Sequence, residues 1–390
     1  AVVGGLGRLT EAQAAGAPLT PGVPDGISSY VTIGTLPGKK PLIQLSDRPP
    51  NYEAPLEYLR TPITPNDQFY VRYHLSDIPE VKAETYKIAV GGDGASGTAE
   101  ITLDDLKKMP AVEVVAVNQC SGNRRGLSKP HVQGVEWGYG AMGCARWKGA
   151  RLKDILDKAG LKKEAIEIAF NGADGPAVPA TPDFIKSVPV WKAIDEHTIV
   201  AYEMNGQPLP HLNGFPARVI VPGWTGTYWM KHVIAINALT KPQGGFWMNP
   251  AYRVPVGKFP LRDRFITQEN SASTPITEIV VNSLITSHRD GDKVKAGKIT
   301  VSGMAWDGGY GIRRVEVSTD GGKNWADAKL GQDLGPYAFR PWSIDLTAKR
   351  GKNSVVVNAT NVIGQTQTDM LIFNPAGYHN NVMQNITLVA

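Results

Sequence analysis

The sequence predicts an α+β body followed by an all-β, immunoglobulin-like sandwich, and three observations carry that prediction. The chain has 390 residues, more than one ordinary hydrophobic core organises, so at least two domains are expected. Between about residues 66 and 265 apolar strand patterns alternate with short helical ones, whereas from about 270 to 390 only short strands separated by turns remain. Glycine (42 residues) and proline (29) exceed average usage, as expected of a turn-rich chain with much β structure.

Taken in order, residues 1–65 are rich in Gly, Pro and small side chains ("GAPLTPGVPDG", "LSDRPPNYEAP") and read as an extended N-terminal arm wrapping over the body. In the body, "YKIAVGG", "VEVVAVNQ", "AIEIAFNG" and "ARVIVPGW" have the β-branched content and terminal turn formers of strands. "TLDDLKKMP" and "ARLKDILDKAGL" carry apolar residues at helical spacing, the second stopped by Gly160. "SASTP" at 271–275 reads as a linker. Beyond it, "ITEIVVNSLITS", "GKITVSGMAW", "IRRVEVSTDGGKNW", "YAFRPWSIDL" and "NSVVVNATNV" are strand-like runs broken by "RDGD", "DGGYG" and "KRGKN" turns, the texture of a sandwich.

Composition excludes several function classes. The formal net charge is +5, mildly basic and too diffuse for a nucleic-acid surface, though it suits an anionic ligand. No apolar window is long enough to span a membrane. The chain begins with Ala, and the expectation is a mature exported protein whose leader has been removed. Two cysteines, Cys120 and Cys144, are too few for a disulfide framework, a four-cysteine zinc site or an iron–sulfur cluster, and no C-x-x-C-H haem motif is present.

Three stretches concentrate chemistry. In "VVAVNQCSGNRRG" (114–126) a cysteine ends an apolar strand and enters a turn bearing two arginines. Nearby cations lower a thiol's pKa, so Cys120 suits a thiolate metal ligand or a nucleophile; an inert buried thiol and a Cys120–Cys144 disulfide are the plainer alternatives. In "NDQFYVRYHLSD" Arg72 and His74 lie two apart on an apparent strand and so share a face, which could hold an anion or simply face solvent. "NGQPLPHLNGFPARVIVPGWTGTYWMKH" (205–232) joins Gly223 and Gly226, which permit close backbone approach, to the charges of Arg218 and Lys231. That combination suits a phosphate-bearing cofactor, although neither a Walker A loop nor a Rossmann fingerprint occurs.

"NQCSGNRRG", then "GVEWGYGAMGCARWKGARLKDIL", "NGQPLPHLNGFPARVIVPG" and "GMAWDGGYGIRRVEVSTDGGKNW", in that order and spacing, resemble the sulfite oxidase family of molybdenum enzymes from about residue 60 to the C-terminus. Within it they resemble the catalytic subunits of bacterial periplasmic sulfite dehydrogenases. The resemblance implies a molybdopterin-binding catalytic domain over 66–265 and a dimerisation-type sandwich over 270–390. It implies that Cys120 is the one protein ligand to molybdenum, a soft thiolate beside the pterin dithiolene. It places Arg72, Arg125 and Tyr252 around sulfite, with Trp137 in the pocket wall. It assigns Tyr70, Val71, Arg72, Tyr73 and His74 of "YVRYH", Asp174 of "FNGADG", Asn213, Arg218 of "GFPAR", and Trp229, Met230 and Lys231 of "YWMK" to the cofactor.

Two departures stand out. The family often has His where this chain has Asn213, with His211 nearby, and a late pocket arginine is Ala376 here, in "FNPAG". No family role falls on Cys144. The implied reaction is oxidation of sulfite to sulfate, with electrons leaving singly. No haem domain is expected, because the segment before the body lacks histidine. A c-type cytochrome, as a bound subunit or a soluble acceptor, is therefore the expected partner, in the periplasm after twin-arginine export. Either a homodimer through the sandwich or a heterodimer with the cytochrome fits. The alternatives are a same-fold reductase of S- or N-oxides, whose members lack the sandwich, and a non-catalytic exported binding protein.

Overall fold

The computed structural model describes residues 32–256 and 272–390. Strands β1 (Thr32–Gly34), β2 (Leu42–Ser46), β3 (Asn51–Glu53) and β4 (Val71–Arg72) form one antiparallel sheet in chain order. The later part of the expected arm is therefore sheet: Asn51 pairs with Arg72 and Tyr52 with Val71, and Leu42, Tyr52, Val71 and Tyr73 bury one another's apolar surface. A boundary at residue 66 would cut through this sheet. Residues 1–31 of that expectation lie outside the described residues.

The body continues through β5 (Lys87–Gly91), β6 (Ala99–Thr102), helix α1 (Leu103–Lys108), β7 (Ala111–Gln119), β8 (Met142–Arg151), α2 (Leu152–Ala159), β9 (Glu167–Gly172), β10 (Ile185–Pro189), α3 (Val190–Ala193), β11 (Ile199–Met204), β12 (Gln207–Pro208), β13 (Arg218–Ile220) and β14 (Val233–Leu239). One sheet has the order β10-β9-β14-β5-β6, with β14 and β5 parallel; the other is β12-β11-β8-β7, with β13 also on β11. Both longer helices show their sequence causes. Thr102 caps α1 reciprocally: Asp105 N donates to its Oγ1 (3.1 Å) and its own N donates to Asp105 Oδ2 (3.0 Å). α2 buries Leu152, Ile155, Leu156 and Ala159 on one face and ends at Gly160, whose φ of 73° needs no Cβ.

Strand β7 explains how a cysteine reaches the interior. Its first residues alternate between exposed and covered, but Ala116 to Gln119 are all buried as it passes between body and sandwich. Val117 packs there against Met142, Cys144, Leu284, Met304, Trp306 and Phe339.

The "SASTP" segment is not a free linker. Strand β15 (Arg253–Pro255) pairs antiparallel with β16 (Ser273–Pro275), whose residues fall within it. The sandwich adds β17 (Asn282–Ile285), β18 (Gly297–Trp306), β19 (Ile312–Ser318), β20 (Ala326–Asp327), β21 (Lys329–Leu330), β22 (Arg340–Ala348), β23 (Lys352–Asn361) and β24 (Gln384–Val389). Its two sheets run β17-β18-β22-β21 and β20-β19-β23-β24 around a separate apolar core. Polar contacts join it to the body: Trp306 Nε1 donates to Gln119 Oε1 (2.6 Å), Arg124 Nη1 to Asn282 Oδ1 (2.7 Å), and Asn380 Nδ2 to the Arg124 carbonyl (3.0 Å).

Candidate active site

Cys120, 9% exposed, lies just past β7 and lines a cavity that opens to solvent. Its turn is fixed from both sides. Cys120 N donates to Ala141 O (2.9 Å), Asn123 N returns to Cys120 O (3.0 Å), and Arg124 N donates to Gly138 O (2.7 Å), with Arg124 at a φ of 68°. The 138–140 loop is in turn clamped by Glu53 from β3. The Glu53 carboxylate accepts from Gly138 N (2.7 Å) and Gly140 N (2.8 Å). Burial pushes its carboxyl up to about 7 against the pull of those backbone donors. Gly140 must be glycine, since a Cβ would come within 1.8 Å of the Ala54 carbonyl. Cys120 and Cys144 are both free thiols; burial pushes Cys144 up to about 12, an inert apolar-seam cysteine.

The opposite wall is the 70–74 stretch. Arg72 and His74 both reach the cavity, as their shared face predicts. Arg72 Nη1 donates to Asn51 Oδ1 (3.1 Å) and to the Tyr73 carbonyl, and its side chain also hydrogen-bonds Tyr252. His74 Nε2 shares a hydrogen bond with the Tyr252 hydroxyl, and its ring stacks on Phe184 at 3.7 Å. Burial, then the cations Arg72, Lys231 and Lys186, hold His74 well below its usual pKa, so it is neutral. Tyr73 and Tyr70 also line the cavity, with hydroxyls on His232 Nε2 (2.7 Å) and Asn118 Oδ1.

The 212–231 segment closes the third side. Arg218 donates to the carbonyls of Asn213 and Trp229 (2.9 Å each), and burial brings its pKa down to about 10. Lys231 Nζ donates to the Arg72 carbonyl (2.7 Å); burial and the adjacent Arg218 hold it well below its ordinary value, while burial raises its neighbour Asp174. Asn213, Trp229 and Met230 line the same cavity.

Three expected residues do not line it. Arg125 turns behind the wall, donating from Nε to Ala376 O (2.7 Å) and from Nη1 to Val135 O (3.1 Å). It lies 5.2 Å over the ring of Tyr378, which stacks on Tyr252 at 5.7 Å. Gly122, Gly134 and Gly377 leave the space that the Arg125 side chain fills, and its two carbonyl acceptors hold it there. Trp137 is fully buried behind Tyr70, edge to face at 6.4 Å, because its segment folds under the Cys120 turn. Val71 alternates away from Arg72 into the small arm core.

Sequence reasoning missed Lys186, Asn118, Ser121, Thr227, Phe184 and Tyr378. Lys186 is fully buried, donates to Trp247 O (2.6 Å) and sits 4.9 Å from the ring centroids of both Tyr228 and Tyr252. Its pKa falls to about 7 through burial, with Arg253 adding to the effect. In "FIKSVPV" its inward position on β10 is visible only as strand parity, and an isolated lysine reads as solvated.

The cavity is built for a large polar anion. Asn118 Nδ2, Arg218 Nε and Thr227 Oγ1 are buried without a hydrogen-bond partner among the described residues, and all three residues line it. Unpartnered buried donors are costly, so a ligand that satisfies them binds with that cost removed. Arg72, Arg218 and Lys231 add charge. Among the described residues no three His, Cys, Asp or Glu side chains cluster to hold a metal, so a metal bound at Cys120 would need its other ligands from outside the protein.

Two family models match the chain: the oxidoreductase molybdopterin binding domain at residues 74–247 and the Mo-co oxidoreductase dimerisation domain at 273–390. Mitochondrial sulfite oxidase of Homo sapiens is 35% identical over 367 residues, covering 90% of this chain, which spans 66% of that relative's length. Sulfite oxidase of Gallus gallus is 34% identical over 351 residues, 86% of this chain and 74% of the relative. Among solved structures, the sulfane dehydrogenase SoxCD from Paracoccus pantotrophus superposes with a TM-score of 0.76 at 24% identity, over 98% of this chain and 93% of that one, a likeness of fold.

Proposed function

We propose, from the premise that this chain belongs to the sulfite oxidase family of molybdopterin oxidoreductases, that it oxidises sulfite to sulfate and passes the electrons singly to a c-type cytochrome. The observation that carries the reading is the convergence on one cavity of Cys120, the Arg72–Tyr252–His74 cluster and three unpartnered buried polar groups. The residues fit the cofactor. Cys120 would ligate the metal, while Asn118, Arg218, Thr227 and Lys231 would meet the polar edges and phosphate of the pterin. Bound there, the molybdenum–pterin group supplies the two-electron redox chemistry and the transferable oxygen.

The chain's own groups bind and orient the anion. The Arg72 guanidinium, tethered to Asn51 and the Tyr73 carbonyl, offsets sulfite's charge from a fixed position. Tyr252 presents its hydroxyl between Arg72 and His74, sharing a hydrogen bond with a neutral imidazole beside a cation. Arg125 does not touch substrate in this reading. It supports Tyr378, and through it the face of Tyr252. With Ala376 in place of a pocket arginine, Arg72 is the cation that meets the anion, and Lys186 adds charge behind Tyr252. The periplasm, a leader of the twin-arginine type and pairing of copies through the sandwich belong to the same proposal. The chain's 34–35% identity to sulfite oxidases, against 27% to a nitrate reductase of Ulva prolifera whose match covers 90% of this chain, favours sulfite oxidation over S- or N-oxide reduction.

Acceptor competition tests it. Sulfite-dependent reduction of cytochrome c with negligible oxygen consumption is expected; oxygen consumption without cytochrome reduction would contradict the acceptor assigned here.

A further inference from the structure

Between Cys120 and the surface runs a short, continuous connection that substrate binding does not use. Ser121, next to Cys120, donates from Oγ to Thr225 Oγ1 (3.0 Å), deep in the interior. Thr225 follows Trp224, 5% exposed, and Trp229 of the cavity wall donates from Nε1 to the Trp224 carbonyl (3.0 Å). The Trp224 ring then meets Trp191 edge to face at 5.8 Å, and Trp191, on α3, is 62% exposed. One hydrogen bond, two peptide linkages and one ring contact thus link the candidate metal ligand to a solvent-facing indole.

The surface around that indole has its own character. Ile194 is exposed beside it, a small apolar patch. Three carboxylates gather there although the chain as a whole is basic: Asp195 and Glu196 follow α3, and exposed Glu278 pairs through its backbone with Trp224. The Tyr337 ring lies 5.5 Å from that of His197, which follows Glu196 in the chain, and Glu278 accepts from the Tyr310 hydroxyl (3.1 Å); burial pushes the Tyr337 phenol up to about 12, with Asp195, Glu196 and Glu278 adding to the effect. Buried Lys192 pairs with Asp195 at 3.5 Å, and the His197 ring lies 3.7 Å from Asp195 and 4.0 Å from Glu196, so the exposed carboxylates Glu196 and Glu278 carry the patch's negative charge.

We infer that the Trp191 face is the electron exit of this protein and the docking site of a one-electron carrier whose redox group is ringed by positive charge, a basic c-type cytochrome. Electron tunnelling falls off steeply with distance and is best carried by bonded and closely packed atoms, which this connection supplies. An exposed Trp in an apolar patch is a typical anchor of a protein contact, and opposite charge around it speeds and orients encounter. The balance is simple. Sulfite and water give sulfate, two protons and two electrons; each electron reduces one ferric haem, and no bond in Trp191 or Trp224 is made or broken. The inference rests on the cytochrome-acceptor reading above.

The test uses holoenzyme and a lysine-rich mitochondrial-type cytochrome c as probe. Binding is measured by surface plasmon resonance across ionic strength, and electron delivery by stopped-flow after reduction with sulfite. Trp191→Ala and Glu196→Lys should each weaken binding and slow delivery on the order of tenfold, Glu196→Lys with a flatter salt dependence, while the rate of reduction by sulfite stays as in wild type. Phe246→Ala, at an exposed ring that reaches His74 through Trp247, should leave binding unchanged. Unaltered binding and delivery in both Trp191→Ala and Glu196→Lys would overturn the docking face, as would loss of binding in Phe246→Ala alone. A wild-type protein that neither binds nor reduces the cytochrome would overturn the acceptor reading itself, and this inference with it.

Discussion

Tyr252 is the most constrained side chain of the site. Its φ of 60° is one that a bulky residue adopts only when its surroundings enforce it, at a cost of roughly 1–3 kcal/mol. Here the enforcement is visible: Ile276 N donates to its carbonyl (2.9 Å), the ring stacks on Tyr378, and the hydroxyl engages Arg72 and His74. Tyr252→Phe keeps the ring and removes the hydroxyl. We expect a ten- to hundredfold loss in kcat/KM for sulfite, about 1–3 kcal/mol, shared between kcat and KM; steady-state kinetics on fully loaded protein check it, and unchanged values would reduce Tyr252 to packing. At this scale the sequence was readable where a motif names the residue, as at Cys120, Arg72 and Arg218. It was not readable for Lys186 or Tyr378, whose roles arise from chain segments meeting across the fold, nor for the turn of Arg125 away from the cavity, which the carbonyls of Ala376 and Val135 hold.

Among elements, the arm matters more than its composition suggests. β3 brings Asn51 to Arg72 and Glu53 to the loop behind Cys120, and the 39–40 turn brings Lys39, whose Nζ donates to Asn213. None of these is legible in a Gly/Pro-rich stretch, because their partners lie in the body and the small sheet takes its last strand, β4, from beyond that stretch. By contrast α1, α2 and the strand runs were legible from capping residues and periodicity, and β24 could have been, since Gln384, Ile386 and Leu388 alternate inward. Glu53→Gln places an amide donor against a backbone donor and should cost about 1–3 kcal/mol. Glu53's pKa in the folded protein, about 7, lies above the 4.5 of the free side chain, so the native state holds its proton more tightly. Its contribution is therefore fully present below about 4.5 and is lost as pH rises through 7. Denaturant titrations across pH 4.5–8 should show the wild-type advantage over Glu53→Gln shrinking as pH rises; a pH-independent difference would mean that Glu53 is ionised throughout.

The whole molecule behaves as two cores joined by a third. The seam around Val117, Cys144, Trp306 and Phe339, together with Arg124, makes the sandwich part of the site, since it supplies Tyr378 and the carbonyl that holds Arg125. Arg124 is buried, with its charge met by Asn282, the Val382 carbonyl and the Tyr139 ring. Asn282→Ala strips one of those partners from a buried cation and should cost about 2–4 kcal/mol, with body and sandwich still unfolding in one calorimetric transition. Two separated transitions in the wild type would contradict this coupling. The two-domain plan was legible from texture alone, whereas the seam was not, because its residues are scattered from Leu56 to Phe339 and gather only on folding.

Whether Cys120 is the protein's hold on a molybdenum centre that oxidises sulfite is decided by the sulfite turnover of wild type and Cys120→Ser, each normalised to bound molybdenum. About one molybdenum per wild-type chain with sulfite-dependent turnover is expected, and in Cys120→Ser a loss of turnover greater than the roughly ten- to hundredfold that disturbing a ligand's supporting partners costs. Full turnover in Cys120→Ser, or a wild-type protein that oxidises sulfite without molybdenum, would contradict it.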